Sequence, residues 1–246
     1  MDRPYFLGKL ADPAQLDYGR YLNCAALLDC QKSLDALCNH DELQFQIVHQ
    51  VEELWMKLMI WTLLEADDYL AAKSILRFIT LMGRVHRIQR MMIDQLDLLE
   101  TMSPKEYQQI RLQLGNGSGQ ESPGFRVLLE MPPHLWRSFT SAYLEPAGRT
   151  IASIYDSDYA HDEAYAAAEA LIEFDELFQK FRTNHLFLIH RSIGMGSASL
   201  KGRSVDLLQA GARHRFFPEL WDVRVAMTDA WGGEYGRKRD SLDEAA

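Results

Sequence analysis

The chain has 246 residues, 26 lysines and arginines against 35 aspartates and glutamates, a net charge of −9 and 47% hydrophobic residues. That composition can bury a sizeable core, while an acidic balance with no dense basic block argues against nucleic acid or an anionic membrane surface as the main partner. Cys24, Cys30 and Cys38 are spaced too widely for a C-x2-C zinc pair, the N-terminus has no apolar signal core, and no apolar run approaches the roughly 20 residues of a membrane span. A soluble protein of the reducing cytoplasm is expected.

In "LDYGRYL", Tyr18 and Tyr21 are three apart and share a face if the segment is helical. Helical periodicity follows over 22–38. From Asp41 to Leu70 the apolar positions Ile47, Val51, Leu54, Leu58, Trp61 and Leu64 recur at steps of three and four, which predicts a long helix buried along that stripe. A further helix is expected over 74–100. "TMSPKEY" supplies Ser103 as N-cap, Pro104 at the first helical position and Glu106 three residues on, so the helix 104–114 has a fixed start. "LGNGSGQESPG" at 114–124 must be a loop, with the next helix beginning near Phe125 and running through 126–145. The alanine-rich start at 163 continues in register to 193 as one long helix. "HRFFPELWDVR" at 214–224 reads as a structural aromatic cluster bounded by Pro218. Strand-type alternation is absent, so the pattern predicts an all-α fold, a single-domain helical bundle over residues 1–246.

Along 163–193, Leu171, Phe174, Phe178, Phe181, His185 and Leu188 lie on one stripe. His185 there is either a core histidine satisfied by a hydrogen bond or an axial ligand to a planar apolar cofactor. His190, about 140° further round the helix, cannot share a metal with it and belongs near the polar side. Phe45 and His49 are four apart, forming either a core edge or a pocket wall in which the phenyl ring stacks and the imidazole hydrogen-bonds a substrate. Tyr107 and Arg111 are likewise four apart, just before the glycine loop that carries Ser118. Arg111 is a surface arginine or a fork for a carboxylate. The glycines follow no strand, which rejects a dinucleotide fingerprint, and no P-loop, zinc-protease or nucleophile-elbow pattern occurs.

Together "LDYGRYL", "HDELQFQIVHQVEELWMKL", "LETMSPKEYQQIRLQLGNGSGQESPGFR", "NHLFLIHRSIG" and "RFFPELWDVR" resemble the tryptophan 2,3-dioxygenase family, in order, from Tyr18 to Arg224. The resemblance implies a bundle enclosing heme b, with His185 as proximal iron ligand. It implies a distal pocket with Phe45 and with His49 near the indole N–H, Arg111 paired with the substrate carboxylate, and Tyr107 bordering the substrate. Ser118 and Ser199 join the substrate-binding set. It further implies a homotetramer in which an N-terminal segment, about residues 1–25, brings Tyr18 and Tyr21 to a neighbouring subunit's site. The implied reaction adds O2 at indole C2 and C3 of tryptophan, giving an N-formylkynurenine-type product.

Two stretches depart from the family pattern. Where the family has Gly-Thr-Gly-Gly-Ser-Ser-Gly, this chain reads "GMGSASLKGRS", with Ser199 at the threonine position and Leu200 and Lys201 replacing small residues. Gln120-Glu121-Ser122-Pro123 stands where the family has Phe-Gln-Ser. Both changes would reshape the space around the substrate's amino-acid end. They motivate an alternative, a heme-dependent monooxygenase of a modified tryptophan such as β-methyltryptophan. A heme-binding sensor or carrier would need no Arg111.

Overall fold

The computed structural model describes residues 2–10, 16–115, 117, 119–197, 211, 214–230 and 232. Among these the helices are α1 Arg3–Leu10, α2 Asp17–Tyr21, α3 Cys24–Leu28, α4 Asp41–Ala71, α5 Ile75–Leu99, α6 Pro104–Gln113, α7 Pro123–Glu130, α8 Pro132–Phe139, α9 Ile151–Tyr155, α10 Glu163–Ile193 and α11 Pro218–Ala230. No strand occurs among the described residues, as the sequence pattern predicts for an all-α fold.

The core is built by α4 and α10, each of 31 residues, packed on either side of α5. Neither α4 nor α10 contains glycine or proline, and the acidic residues Asp41, Glu42 and Glu163 occupy their first turns, where the helix dipole favours negative charge. Met56, Met59, Leu63, Ala66 and Leu70 of α4 meet Phe78, Leu81, Met82, Val85 and Met92 of α5 in the core. The stripe Leu171, Phe174, Phe178, Phe181 of α10 is buried as its periodicity predicts. Asp162 caps α10 by accepting the amide of Tyr165 at 3.0 Å, and Gly194, at φ +86°, ends it.

The apolar stripe of α4 differs from expectation. Ile47, Leu54, Leu58, Trp61 and Leu64 face outward, with Trp61 72% exposed, and the face that α4 buries is rotated from it, along Val48, Glu52, Met56, Met59, Leu63, Ala66 and Leu70. The helix is apolar on two sides, and a strictly periodic row cannot say which side meets the rest of its own chain.

The continuous helix expected over 22–38 is also replaced, by α3 and a single 3-10 turn at Leu34–Ala36. Asn23, in the left-handed region at φ +54°, separates α3 from α2, and the side chains of α3 find no core to pack on, which a short helix needs. Over 126–145, Pro132 interrupts the expected run: α7 stops at Glu130 and α8 starts at Pro132. The aromatic cluster is structural, because buried Asp175 accepts the amides of Phe216 and Phe217 and the indole N–H of Trp221 at 2.8, 3.1 and 3.0 Å.

Candidate functional site

The site grows from three elements. α6 starts where the sequence sets it, with Ser103 Oγ accepting the Glu106 amide at 3.5 Å and Pro104 in the first turn. It packs against both α4 and α10, which carries Tyr107 to Phe45: their ring centres are 6.4 Å apart. Phe45 in turn lies 4.1 Å from the imidazole of His49. Burial raises the Tyr107 phenol pKa, partly offset by the nearby charge of Arg111, which is four residues on and shares its face of α6.

His49 Nδ1 lies 2.7 Å from the carbonyl oxygen of Phe45. A carbonyl can only accept, so Nδ1 carries the proton and donates. Burial lowers the pKa of His49 against the smaller upward pull of that carbonyl and of Glu53, so the ring is neutral and Nε2 keeps a lone pair.

His185 of α10 has His49 as an electrostatic neighbour. Its ring lies parallel to Phe181, 6.3 Å between centres, and that aromatic wall continues through Phe178 to Phe125 at 5.5 Å. Burial, with His49 as the second cause, pushes its pKa down to about 4. Unlike His86, which bonds Ala170 O at 3.1 Å and Glu173 at 3.2 Å, His185 makes no hydrogen bond to any described residue. Gly119 adjoins it: a Cβ built there would stand 3.9 Å from His185 Cε1. His190 lies apart, edge-on to Phe187.

The structure therefore brings Phe45, His49, Tyr107, Arg111 and His185 together. It leaves Tyr18 and Tyr21 outside, 74% and 89% exposed on α2. Ser118 and Ser199 lie outside the described residues, as do Leu200 and Lys201. A groove of about 640 Å³ between α5 and α10 is separate, and its charges are satisfied locally: Glu173 binds both His86 and Arg90.

Residues 8–131 match the tryptophan 2,3-dioxygenase family. Tryptophan 2,3-dioxygenase of Myxococcus xanthus (strain DK1622) is 31% identical over 260 residues, covering 86% of this chain and 89% of that protein. The chain belongs to the tryptophan 2,3-dioxygenase family. Proteins of the same name from Serratia proteamaculans (strain 568) and Bacillus cereus (strain ATCC 10987 / NRS 248) are 31% and 29% identical, each over 86% of this chain.

The residues present fit the heme that this resemblance implies. A neutral imidazole with no hydrogen bond to a described residue, on a phenylalanine wall and beside Gly119, offers a nitrogen that would hold the iron in apolar surroundings. No cluster of three or more histidine, cysteine or carboxylate ligands occurs among the described residues, and single-imidazole ligation of a macrocycle needs none.

Sequence reasoning missed Glu53, Ser122 and Gly124. Glu53, one turn beyond His49, accepts the Ser122 hydroxyl and, at 3.1 Å, the Gly124 amide. The only signal was the i, i+4, i+8 spacing of Phe45, His49 and Glu53 on one face of α4.

Proposed function

We propose that this chain is a heme-dependent oxygenase acting on the indole ring of L-tryptophan or a close derivative, adding O2 at C2 and C3 to give an N-formylkynurenine-type product. The observation that supports the reading is the His185 imidazole, which makes no hydrogen bond to any described residue and has the tautomer-fixed imidazole of His49 as its electrostatic neighbour. Heme b, ligated through the free nitrogen of His185, would supply the oxygen-activating chemistry.

The chain's own residues orient the substrate. His49 Nε2 accepts the indole N–H, which holds C2 and C3 at a fixed place and leaves a proton acceptor beside the ring nitrogen. Phe45 and Tyr107 flank the indole and exclude water. Arg111 takes the carboxylate as a charge-assisted fork, and Ser118 and Ser199 complete the polar set around the amino-acid end. The relatives' shared dioxygenase name does not favour the monooxygenase alternative, nor does it favour a sensor.

The proposal includes a homotetramer. Five side chains of the outward α4 stripe, Ile47, Leu54, Leu58, Trp61 and Leu64, are between 38% and 72% exposed, an apolar row suited to the centre of an interface of about 800 Å² per partner. The side chains of α1 are all exposed, including Tyr5, Phe6 and Leu10, as are Tyr18 and Tyr21 of α2. An N-terminal arm that packs on a second copy would cover them and bring Tyr18 and Tyr21 to that copy's site. No helix among the described residues is long and apolar enough to cross a membrane, and Cys24, Cys30 and Cys38 are free thiols, in keeping with a cytoplasmic setting.

Reconstitution with heme tests the reading. The chain should bind one heme per subunit with a Soret band that His185→Ala loses and added imidazole restores. A chain that takes up no heme, or an His185→Ala variant with an unchanged Soret band, contradicts it.

A further inference from the structure

The loop that joins the Arg111 helix to α7 is held down at one place. Glu53 Oε1 accepts the hydroxyl proton of Ser122, and Oε2 accepts the amide of Gly124 at 3.1 Å. The Ser122 oxygen meanwhile accepts the Phe125 amide at 3.1 Å, capping α7. One carboxylate therefore satisfies a side chain and a backbone donor across 69 and 71 residues of sequence. Such charge-assisted pairs are the stronger class of hydrogen bond.

The junction is also sterically tight. A Cβ at position 124 would stand 2.7 Å from Met56 Cβ and 2.9 Å from Glu53 Oε2, so only glycine lets the backbone approach this closely. One end of the held segment, Gly119, adjoins the His185 ring; the other, Phe125, stacks on Phe178 of the same wall. Glu53 is one helical turn from His49, and its charge is felt at that imidazole.

Resting on the proposed function, we propose that Glu53 is a positioning residue: through Ser122 and Gly124 it latches the 119–122 turn and the first turn of α7 to the His49 helix and holds the Arg111 side of the substrate site in register with the indole side. Glu53 touches no substrate in this account. Its effect reaches the site because Gly119, at one end of the held segment, adjoins the His185 ring and lies only eight residues beyond Arg111 in sequence, so freeing the segment from α4 loosens that side of the site.

The test compares heme-reconstituted Glu53→Gln, Ser122→Ala, Ser122→Thr and the Glu53→Gln/Ser122→Ala double variant. Glu53→Gln and Ser122→Ala should each raise the KM and the equilibrium dissociation constant for L-tryptophan by about tenfold, with kcat within about threefold, as lost positioning of a bound group requires. The double variant should be no worse than the worse single one, and Ser122→Thr, which keeps the hydroxyl, should restore binding. Amide exchange should quicken by about tenfold in 120–125 alone, a readout that needs no substrate.

Tryptophan affinity unchanged in both single variants overturns the proposal, whatever the exchange shows, and so do additive effects. If Glu53→Gln fails to fold, Ser122→Ala decides by the same criteria. A wild-type enzyme that binds heme but not tryptophan refutes the proposed function and the substrate-positioning claim with it, whereas the exchange result alone reports whether the latch exists.

Discussion

His49 donates its Nδ1 proton to the carbonyl of Phe45 at 2.7 Å, within one turn of α4, and this bond leaves Nε2 as an acceptor. His49→Ala should lower kcat/KM for L-tryptophan by roughly 100-fold, the lower range for a positioned acid–base group. 1-Methyltryptophan, which has no indole N–H, should be a poor substrate for the wild type and should narrow the gap between wild type and variant. A variant equally impaired on both substrates would show that His49 does not read the N–H.

Arg111 shares its face of α6 with Tyr107. Arg111→Lys keeps the charge but loses the planar fork, so KM for tryptophan should rise by about tenfold or more, while binding of tryptamine, which lacks the carboxylate, should hardly change. Steady-state kinetics with the two ligands check this. An equal effect on both would remove the carboxylate role.

Glu52 is buried between α4 and α5 with Oε1 unpartnered among the described residues, and burial pushes its carboxyl up to about 7 from 4.5, against a smaller opposite effect of Gln95. The folded chain therefore holds this proton more tightly than the unfolded one. Stability from this group is fully present below pH 4.5, is lost as pH rises toward 7 and is flat beyond. Glu52→Gln should be more stable than wild type at pH 8 by on the order of 2 kcal/mol, and the difference should vanish near pH 4. Denaturant titrations at both pH values measure it.

The outward stripe of α4 carries the oligomer prediction. Leu58→Glu combined with Trp61→Glu should reduce the assembly by at least one step in sedimentation velocity while leaving helicity intact, because both side chains are exposed in the chain. An unchanged sedimentation coefficient would assign that face to something other than a second copy.

Much of this was legible in the sequence because it is local. The cap at Ser103 and the long uninterrupted helices α4, α5 and α10 follow from spacing within one segment. The placement of His185 on a phenylalanine stripe does too. Which face of α4 turns inward was not legible, because Ile47 to Leu64 and Val48 to Leu70 are both apolar rows and only packing against α5 chooses between them. The anchors Glu53 and Asp175 were invisible for a similar reason. Each is an ordinary acidic residue in a helical pattern, and its partners lie 69 to 71 and 41 to 46 residues away. The 22–38 segment misled because periodicity without a core to meet does not hold a helix.

The most direct test of the central claim is product analysis after turnover of L-tryptophan by the heme-reconstituted chain under isotopically labelled dioxygen. The account predicts N-formylkynurenine carrying both labelled oxygen atoms. A product that gains a single labelled oxygen, or no oxygenated indole from heme-loaded protein, would contradict it.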